Sequence, residues 1–585
     1  MRKQLEELRV QMKKHNIDIY IVPTTDYHGS EYVNDYFKCR EYISGFTGSA
    51  GTLAVTQDTA ALWTDGRYFL QAEAQLSGSG IELMKEGTEG VPTLEQYIEA
   101  LNCEKQDRKL RLGFDGRVVS AGQGSRFEAF AEVVWDIDLA GEIWKDRPEI
   151  KPSHIYELDI SAAGETFRSK LARVRKEMGD CDFLLVTKLE QIAWLYNLRG
   201  DDVEHTPVFF AFALIGRDTD AFYVMDDSFK RENTRPYMQI FDDLKSLRNC
   251  SLSLEKSGTS YALAGCLHSS VDITDETNPI ELMKAVKNDT EIACTRNAHI
   301  RDGAAMVKFL YWIKNKAGRQ YITEISAADY LEECRRQQGA YDLSFDTIAG
   351  YEEHGAIIHY QATKQSNVQI KPEGFLLVDS GGQYRDGTTD ITRTIALGPV
   401  TCDRRYAYTA VLKSNIRLAA AKFRYETTGA ELDVIARKPL KDRGFDFNHG
   451  TGHGVGHMLS VHEGPNTISR RGDKCCIVPG MITSDEPGVY LEGQYGIRIE
   501  VYFAGEYGIR LENEILCIEE GDGLCFETIT LCPFDREAIE VNMLEDDELE
   551  FLNRYHSRVY DTLKEYLDED EAKWLLKQTE PLHRQ

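Results

Sequence analysis

The sequence predicts a multidomain chain that combines α/β and α+β architecture, on three observations. At 585 residues it exceeds what one hydrophobic core supports, so about two to four domains are expected. A helix, strand, helix, glycine, paired-strand order occurs twice before residue 285. From residue 344 onward, short strand-like runs alternate with Gly-rich turns, and acids and histidines gather among them.

The first domain is placed at 1–150. Leu5, Leu8 and Met12 stand at helical spacing, and IDIYIVP (17–23) reads as a strand. SGFTGSAGT (44–52) leads into TLAVT and AALWTDGRYF, read as two further strands. The Pro-containing polar stretch RPEIKPS (147–153) reads as a link. A second domain, 151–285, repeats the grammar: a helical run at 166–179, CDFLLVT (181–187), EQIAWLYNLRG, then VFFAFALIG and AFYVM. The two stretches share too little identity for a repeat to be established from residues alone. The third region, 286–585, begins with AHIRDGAAMVKFLYWI and TEISAADYLEECRRQQ, both helical in pattern, the latter with Ser326 or Thr323 as N-cap. A polar, acidic tail (543–585) has helical spacing.

Composition excludes several roles. A net charge of −28 repels phosphate backbones and anionic lipid, which argues against nucleic-acid and membrane-surface partners. No run of about 18 apolar residues is present to span a bilayer. The opening MRKQLEELRVQMKKHNIDIYIVP lacks the apolar core of a secretory signal. Thirteen Cys, an odd number without a CxxC, read as reduced thiols in a cytoplasmic protein. The adjacent Cys475 and Cys476 read as packing residues.

Four stretches carry chemistry. LLVDSGGQYRDGTTDITRT (376–394) places Asp379 and Asp390 on what two strands and a turn would bring together. NHGTGHGVGH (448–457) sets His449, His453 and His457 four apart, among glycines that argue against a helix and allow close backbone approach. SVHEGP supplies His462, and SDEPGVY supplies Glu486. Singly these are weak: Asp-Gly is ordinarily a turn, and a lone His is ordinarily a core or surface side chain. Together, several inward carboxylates cost free energy unless they are paired or bind metal. Too few Lys and Arg lie within the motifs to neutralise them. Acids outnumbering the histidine point to two hard-to-borderline divalent cations sharing carboxylates, Mn²⁺, Co²⁺ or Zn²⁺.

DSGGQYRDGTTDITRT, HGTGHGVGH, VHEGP, SDEPGVY and GIRxEN resemble the aminopeptidase P family, the Xaa-Pro aminopeptidases, in their long, three-domain, cytosolic type. SGFTGSAGT, LWTDGRYFLQA, EQIAWLYNLRGDDVEHTPVFF, EISAADYLEECRRQQ and LSFDTI extend the resemblance over nearly the whole chain. It implies two creatinase-type N-terminal α/β domains, a pita-bread metallopeptidase domain, a homodimer, and a dinuclear site, usually with Mn²⁺. It implies release of the first residue from peptides with proline second. By the resemblance, Asp379 is a terminal ligand of one metal, Asp390 a bridging ligand, and His453 and Glu486 ligands of the other. A second bridging Glu comes from Gly-Ile-Arg-x-Glu. His359 in GAIIHY, His449 and His462 match the family's three non-ligand site histidines. Glu486 is the candidate proton shuttle, and His462 or His359 the candidate partner of the developing oxyanion. A prolidase-like dipeptidase ordinarily has one N-terminal domain. A metal-free peptide-binding protein of the same fold loses ligands that are all present here.

One departure from the family pattern bears on the site. GVYLEGQYGIRI (488–499) and EVYFAGEYGIRL (500–511) agree at seven of twelve positions, so Glu500 and Glu512 both end a Gly-Ile-Arg-x-Glu. A three-residue turn at Glu492-Gly493-Gln494 would set Glu486 opposite Glu500. Only the second copy completes GIRLEN, which leaves twelve residues around QYGIRIEVYFAG to lengthen the hairpin before Glu512. The balance leans to Glu512, with the other copy as an arm at the pocket rim.

Overall fold

The helix Lys3–Lys14 forms where the spacing places it and buries Leu5, Leu8 and Met12. The strand Ile19–Pro23 follows and becomes the centre of a sheet. The computed structural model describes residues 2–104, 108–472, 474–491, 496–498, 501–503 and 507–584. The chain divides into two units, one of residues 1–158 with 165–280, the other of 159–164 with 281–585.

The first unit holds two six-stranded sheets of one topology. In the first, Glu82–Lys85, Ala60–Thr64, Thr52–Thr56, Ile19–Pro23, Leu110–Gly113 and Ala131–Val134 lie side by side in that order. In the second, Thr234–Pro236, Asp220–Val224, Ala211–Gly216, Phe183–Val186, Ser251–Leu254 and Asp272–Asp275 do the same. Numbered by appearance within each sheet, both run 4-3-2-1-5-6, with the 1–2 and 2–3 pairings antiparallel and the remaining pairings parallel. The repeated sequence grammar is therefore a repeated fold. Ser120 caps Ala121–Phe130 and Ser260 caps Tyr261–Gly265. The two helix starts then exchange backbone hydrogen bonds: Ala121 N to Thr259 O (2.8 Å) and Tyr261 N to Val119 O (2.7 Å), Gly122 N to Lys256 O (2.9 Å) and Ala262 N to Gly116 O (2.8 Å). N–H groups left open by a helix start are satisfied by the other half.

One strand reading is corrected. AALWTDGRYF is not a single run: the strand stops at Thr64, and Phe69–Leu76 is a helix. Asp65 Oδ1 accepts from Arg67 N (3.0 Å) and Arg67 Nε (2.8 Å), and this Asx turn outcompetes the β-propensity of the aromatics.

The second unit opens with two long helices, Asp289–Lys316, capped by Asn288, and Glu324–Gln337. Thr323 is the cap of the latter, and Ser326 closes the capping box from the third position. Helices Cys402–Ala419 and Gly429–Lys441 form a second pair. The site-bearing strands are Phe375–Ser380 against Ile391–Ala396, and a six-stranded sheet in which Ile482–Asp485 lies between Asn513–Glu520 and Gly452–Gly454. The tail forms the helices Asp546–Leu563 and Glu569–Gln578, whose Leu552, Val559, Leu563 and Leu575 join a core with Ala407, Val411, Val489 and Ile509. Among the described residues no helix is long and apolar enough to cross a membrane, and none of the thirteen cysteines is paired.

The duplicated segment resolves into nested hairpins. Gly488–Leu491 pairs with Tyr507–Arg510, placing Gly488 opposite Arg510 and Leu491 opposite Tyr507. The intervening residues include a second, shorter hairpin, Gly496–Arg498 against Val501–Phe503. The three-residue turn considered at Glu492-Gly493-Gln494 lies outside the described residues, and the second copy supplies the partner strand, with Tyr507, Ile509 and Leu511 wholly buried beside Val489 and Leu491 of the first. A Cβ on Gly508 would meet Gly355 O at 1.7 Å, so this strand needs glycine at that point. Deleting residues 495–506 leaves the 491–507 pairing intact, and shortening the loop changes its closure entropy by about 1 kcal/mol. The deletion variant is expected to melt within about 3 °C of the parent by scanning fluorimetry. A fall of more than about 10 °C would show that the insert carries core packing.

Candidate active site

Five elements deliver the acidic and imidazole side chains to one place. Asp379 lies in the Phe375–Ser380 strand opposite Thr392, and Asp390 immediately precedes the neighbouring strand. His453 stands on Gly452–Gly454, Glu486 just past Ile482–Asp485, and Glu512 at the junction between Tyr507–Arg510 and Asn513–Glu520. Backbone bonds hold the crossings, Glu486 N to Thr451 O (2.8 Å) and Glu512 N to Thr392 O (3.0 Å). The glycines beside His453 are dictated by approach: a Cβ on Gly452 would sit 1.8 Å from Ser484 O.

Three overlapping groups result, Asp379–Asp390–Glu512, His453–Glu486–Glu512 and Asp390–His453–His462, each with ligand atoms within 4.8 Å of one another. Glu512, Asp390 and His453 each belong to two of the three groups. Glu500 lies outside the described residues. His453 Nε2 is 3.5 Å from both Asp390 Oδ2 and Glu486 Oε1. Its Nδ1 faces Gly454 O at 3.1 Å, a contact that only an N–H satisfies, so Nε2 presents its lone pair to the carboxylates. The His462 ring meets that of His453 edge-on, with centroids 4.4 Å apart.

A surrounding layer fixes these groups. Thr392 Oγ1 donates to Glu512 Oε2 (2.7 Å) and accepts from Arg510 Nε (3.2 Å). Arg510 also donates to Asp379 Oδ2, to the Tyr490 hydroxyl (2.7 Å) and to Ile358 O (3.4 Å), one residue before the half-buried His359. Tyr490 OH lies 2.9 Å from His449 Nε2, whose Nδ1 is 2.7 Å from Gly450 O, and His449 Nδ1 is 3.8 Å from Glu486 Oε2. Asp390 N donates to Glu514 Oε1 (2.8 Å), and that oxygen is 3.2 Å from His299 Nε2. His457 turns elsewhere, with Nε2 3.0 Å from Ala162 O and Nδ1 3.3 Å from Thr295 Oγ1.

Electrostatics follow from crowding. Burial, with repulsion from Asp379, holds the Asp390 carboxyl well above the usual carboxylate range. Burial, with Asp390 and Glu486 nearby, does the same to Glu512. Burial pushes Glu486 up to about 7, with Arg510 opposing and Asp379 adding to the rise. His449 is pushed down to about 3 by burial and the Arg510 charge, which keeps it neutral. Asp379 Oδ1 and Asp390 Oδ1 are buried without hydrogen-bond partners. Carboxylates that oppose one another with ligand atoms aimed inward fit divalent cations.

The structure brings Asp379, Asp390, His453, His462, Glu486 and Glu512 together, with His449 beside Glu486. Arg510, Tyr490, Thr392, His299 and Glu514 carry no signal of their own in the sequence. Tyr490 stood inside SDEPGVY and His299 inside AHIRDG, yet nothing local separates them from strand and helix residues of the core.

Fold and site together define a metallopeptidase-type hydrolase. The model for metallopeptidase family M24 matches residues 293–519, that for its C-terminal region 522–582, and two models of creatinase/prolidase N-terminal domains match 4–148 and 146–291. A probable Xaa-Pro aminopeptidase P of Talaromyces marneffei is 37% identical over 99% of this chain and 92% of its own. That of Verticillium alfalfae is 38% identical, covering 99% of both chains. The crystal structure of the Caenorhabditis elegans X-prolyl aminopeptidase, described as a cytosolic enzyme with a di-nuclear active site, superposes with a TM-score of 0.91 at 31% identity over 99% of each chain. The chain belongs to the Xaa-Pro aminopeptidase P family.

A pH dependence follows for the metal-free chain. Glu486 has a folded-state pKa of about 7 against an ordinary 4.5, so the folded state holds the proton more tightly. Its stabilising contribution is complete below about 4.5 and is lost as pH rises towards about 7. In chelator, the melting temperature is expected to fall across that window, and Mn²⁺ is expected to restore it at pH 7. Identical curves with and without Mn²⁺ would contradict the assignment.

Proposed function

We propose that this chain is a Xaa-Pro aminopeptidase that uses two divalent cations, Mn²⁺ by preference, held by Asp379, Asp390, His453, Glu486 and Glu512. The observation that carries this is the overlap of the three ligand groups, which share Glu512, Asp390 and His453 pairwise. The oxygen-rich donor set supports Mn²⁺, with Zn²⁺ and Co²⁺ as substitutes. The cytosolic nature of the Caenorhabditis elegans relative supports a cytoplasmic location; family resemblance supports a homodimer.

When bound, such cations acidify a shared water and polarise the scissile carbonyl. The chain's own residues do the rest. Glu486, with Oε1 3.5 Å from His453 Nε2 and Oε2 3.8 Å from His449 Nδ1, takes a proton from the attacking water and passes it to the departing proline nitrogen. That nitrogen belongs to a tertiary amide without an N–H, so the site must bind the bond without that donor. His462 and His359 stabilise the oxygen on which charge grows. Arg510 holds Asp379 and Tyr490 in place. The substrate enters from the side of His453 and Glu486, whose side chains are 22% and 18% exposed against 4% for Asp390.

The test is release of Arg from a free-amino Arg-Pro-Pro peptide, after chelation and again with Mn²⁺. Release is expected only with metal. Glu486→Gln is expected to lower kcat by about 10²–10⁴-fold. Glu512→Gln is expected to abolish Mn²⁺-dependent turnover, whereas Glu500→Gln should leave it near the parent value. Folded protein that releases nothing with Mn²⁺, Zn²⁺ or Co²⁺ would refute the reading, and the reverse ranking of the two Gln variants would move the bridge to Glu500.

A further inference from the structure

Behind Glu512 a buried network reaches the far end of the chain. Arg393 is 1% exposed. Its Nη1 donates to Thr392 O (2.9 Å) and Glu512 O (2.6 Å). Its Nη2 donates to Asn513 Oδ1 (2.9 Å), Cys532 O (2.7 Å) and the Tyr555 hydroxyl (3.2 Å), and its Nε to Pro533 O (3.2 Å). The guanidinium also lies over the Phe534 ring, 4.3 Å from the centroid. Tyr555 belongs to the tail helix Asp546–Leu563. Its hydroxyl donates to Cys532 O (2.8 Å) and accepts from Cys532 N (3.2 Å). The next residue, His556, accepts at Nε2 from Phe534 N (3.1 Å).

The tail helix thus clamps 532–534, that loop and Tyr555 fix one face of Arg393, and the other face of Arg393 fixes the backbone of Glu512. The same guanidinium holds Thr392 O, and Thr392 sets the Glu512 carboxylate through its Oγ1. Few covalent bonds separate the Glu512 carbonyl from its carboxylate, so a shift of one displaces the other. A buried guanidinium with every N–H committed is a rigid part, because losing any partner leaves a desolvated donor.

We propose that the C-terminal tail is a positioning element of the metal centre, acting from Tyr555 through Arg393 on Glu512. This rests on the dinuclear reading above. Outer partners of metal ligands shift affinity by about 10–100-fold, so Tyr555→Phe, which deletes only the hydroxyl, is expected to weaken Mn²⁺ binding by about tenfold. Isothermal titration of the chelated protein with Mn²⁺ reads this directly. At saturating Mn²⁺, kcat is expected to return to near the parent value, a split that general destabilisation does not produce. Arg554→Ala, an exposed neighbour on the same helix, is expected to bind Mn²⁺ like the parent. Reciprocally, Mn²⁺ added to the wild-type chain is expected to slow amide exchange across 546–563. That measurement decides the matter if Tyr555→Phe does not fold. Unchanged Mn²⁺ affinity in folded Tyr555→Phe, or tail exchange indifferent to Mn²⁺, would overturn the proposal alone. A wild-type chain that takes up no divalent cation would overturn the dinuclear reading and this proposal with it.

Discussion

Mutual repulsion among buried carboxylates is the constraint around which the second unit is built. Each such ion removed from water costs several kcal/mol even after relaxation, and here Asp379, Asp390, Glu486 and Glu512 converge with Arg510 as the cation in contact. Burial, with the neighbouring carboxylates adding to it, raises the proton affinities of Asp390, Glu486 and Glu512, and the same crowding makes the place attractive to divalent cations. The surrounding structure can be understood as what keeps these groups from separating. Gly452 lets one strand come against Ser484 O, the Thr392 hydroxyl fixes one oxygen of Glu512, and the Glu514 carboxylate takes the Asp390 amide. Sequence-distant segments are needed because strand alternation prevents a single strand from supplying adjacent ligands to one point.

Much of this was legible in the residues, for identifiable reasons. Leu5, Leu8 and Met12 mark a helix because periodicity is local, and the doubled element order showed the doubled sheet. The 4-3-2-1-5-6 order was not readable, since pairing Ile19 with Leu112 depends on contacts that no local pattern encodes. Asp379, Asp390, His453 and Glu486 stood out because acids and a histidine flanked by glycine or proline are unusual in strand-like surroundings. Their supporting residues did not. A threonine in a strand, a tyrosine on its partner and a histidine on a long helix look like ordinary core, and they acquire meaning only from what lies across from them. DGRYF was read as strand because its aromatics favour one, while the Asp65 side chain was already closing a turn.

The duplication shows how far pattern alone can go. Both copies place an apolar residue, glycine or arginine, and glutamate in the same alternation, so burial favours neither. What differs is the residue that follows. Asn513 supplies an acceptor to Arg393 and continues directly into the Asn513–Glu520 strand, whereas Glu500 is followed by Val501. Docking the first copy would interrupt a continuous strand with twelve extra residues. Docking the second puts them at a hairpin tip, where added length costs little.

The exchanged hydrogen bonds between the helix starts at Ala121 and Tyr261 set a limit on modularity in the first unit. Neither half, taken alone, can finish its own helix, since each borrows two carbonyls from the other. The stretch 147–153 that reads as a linker thus joins two halves whose helix starts are tied by backbone hydrogen bonds. A change at either helix start is therefore felt by both halves, because a shift of Lys256 or of Gly116 moves a carbonyl on which the other half's helix depends.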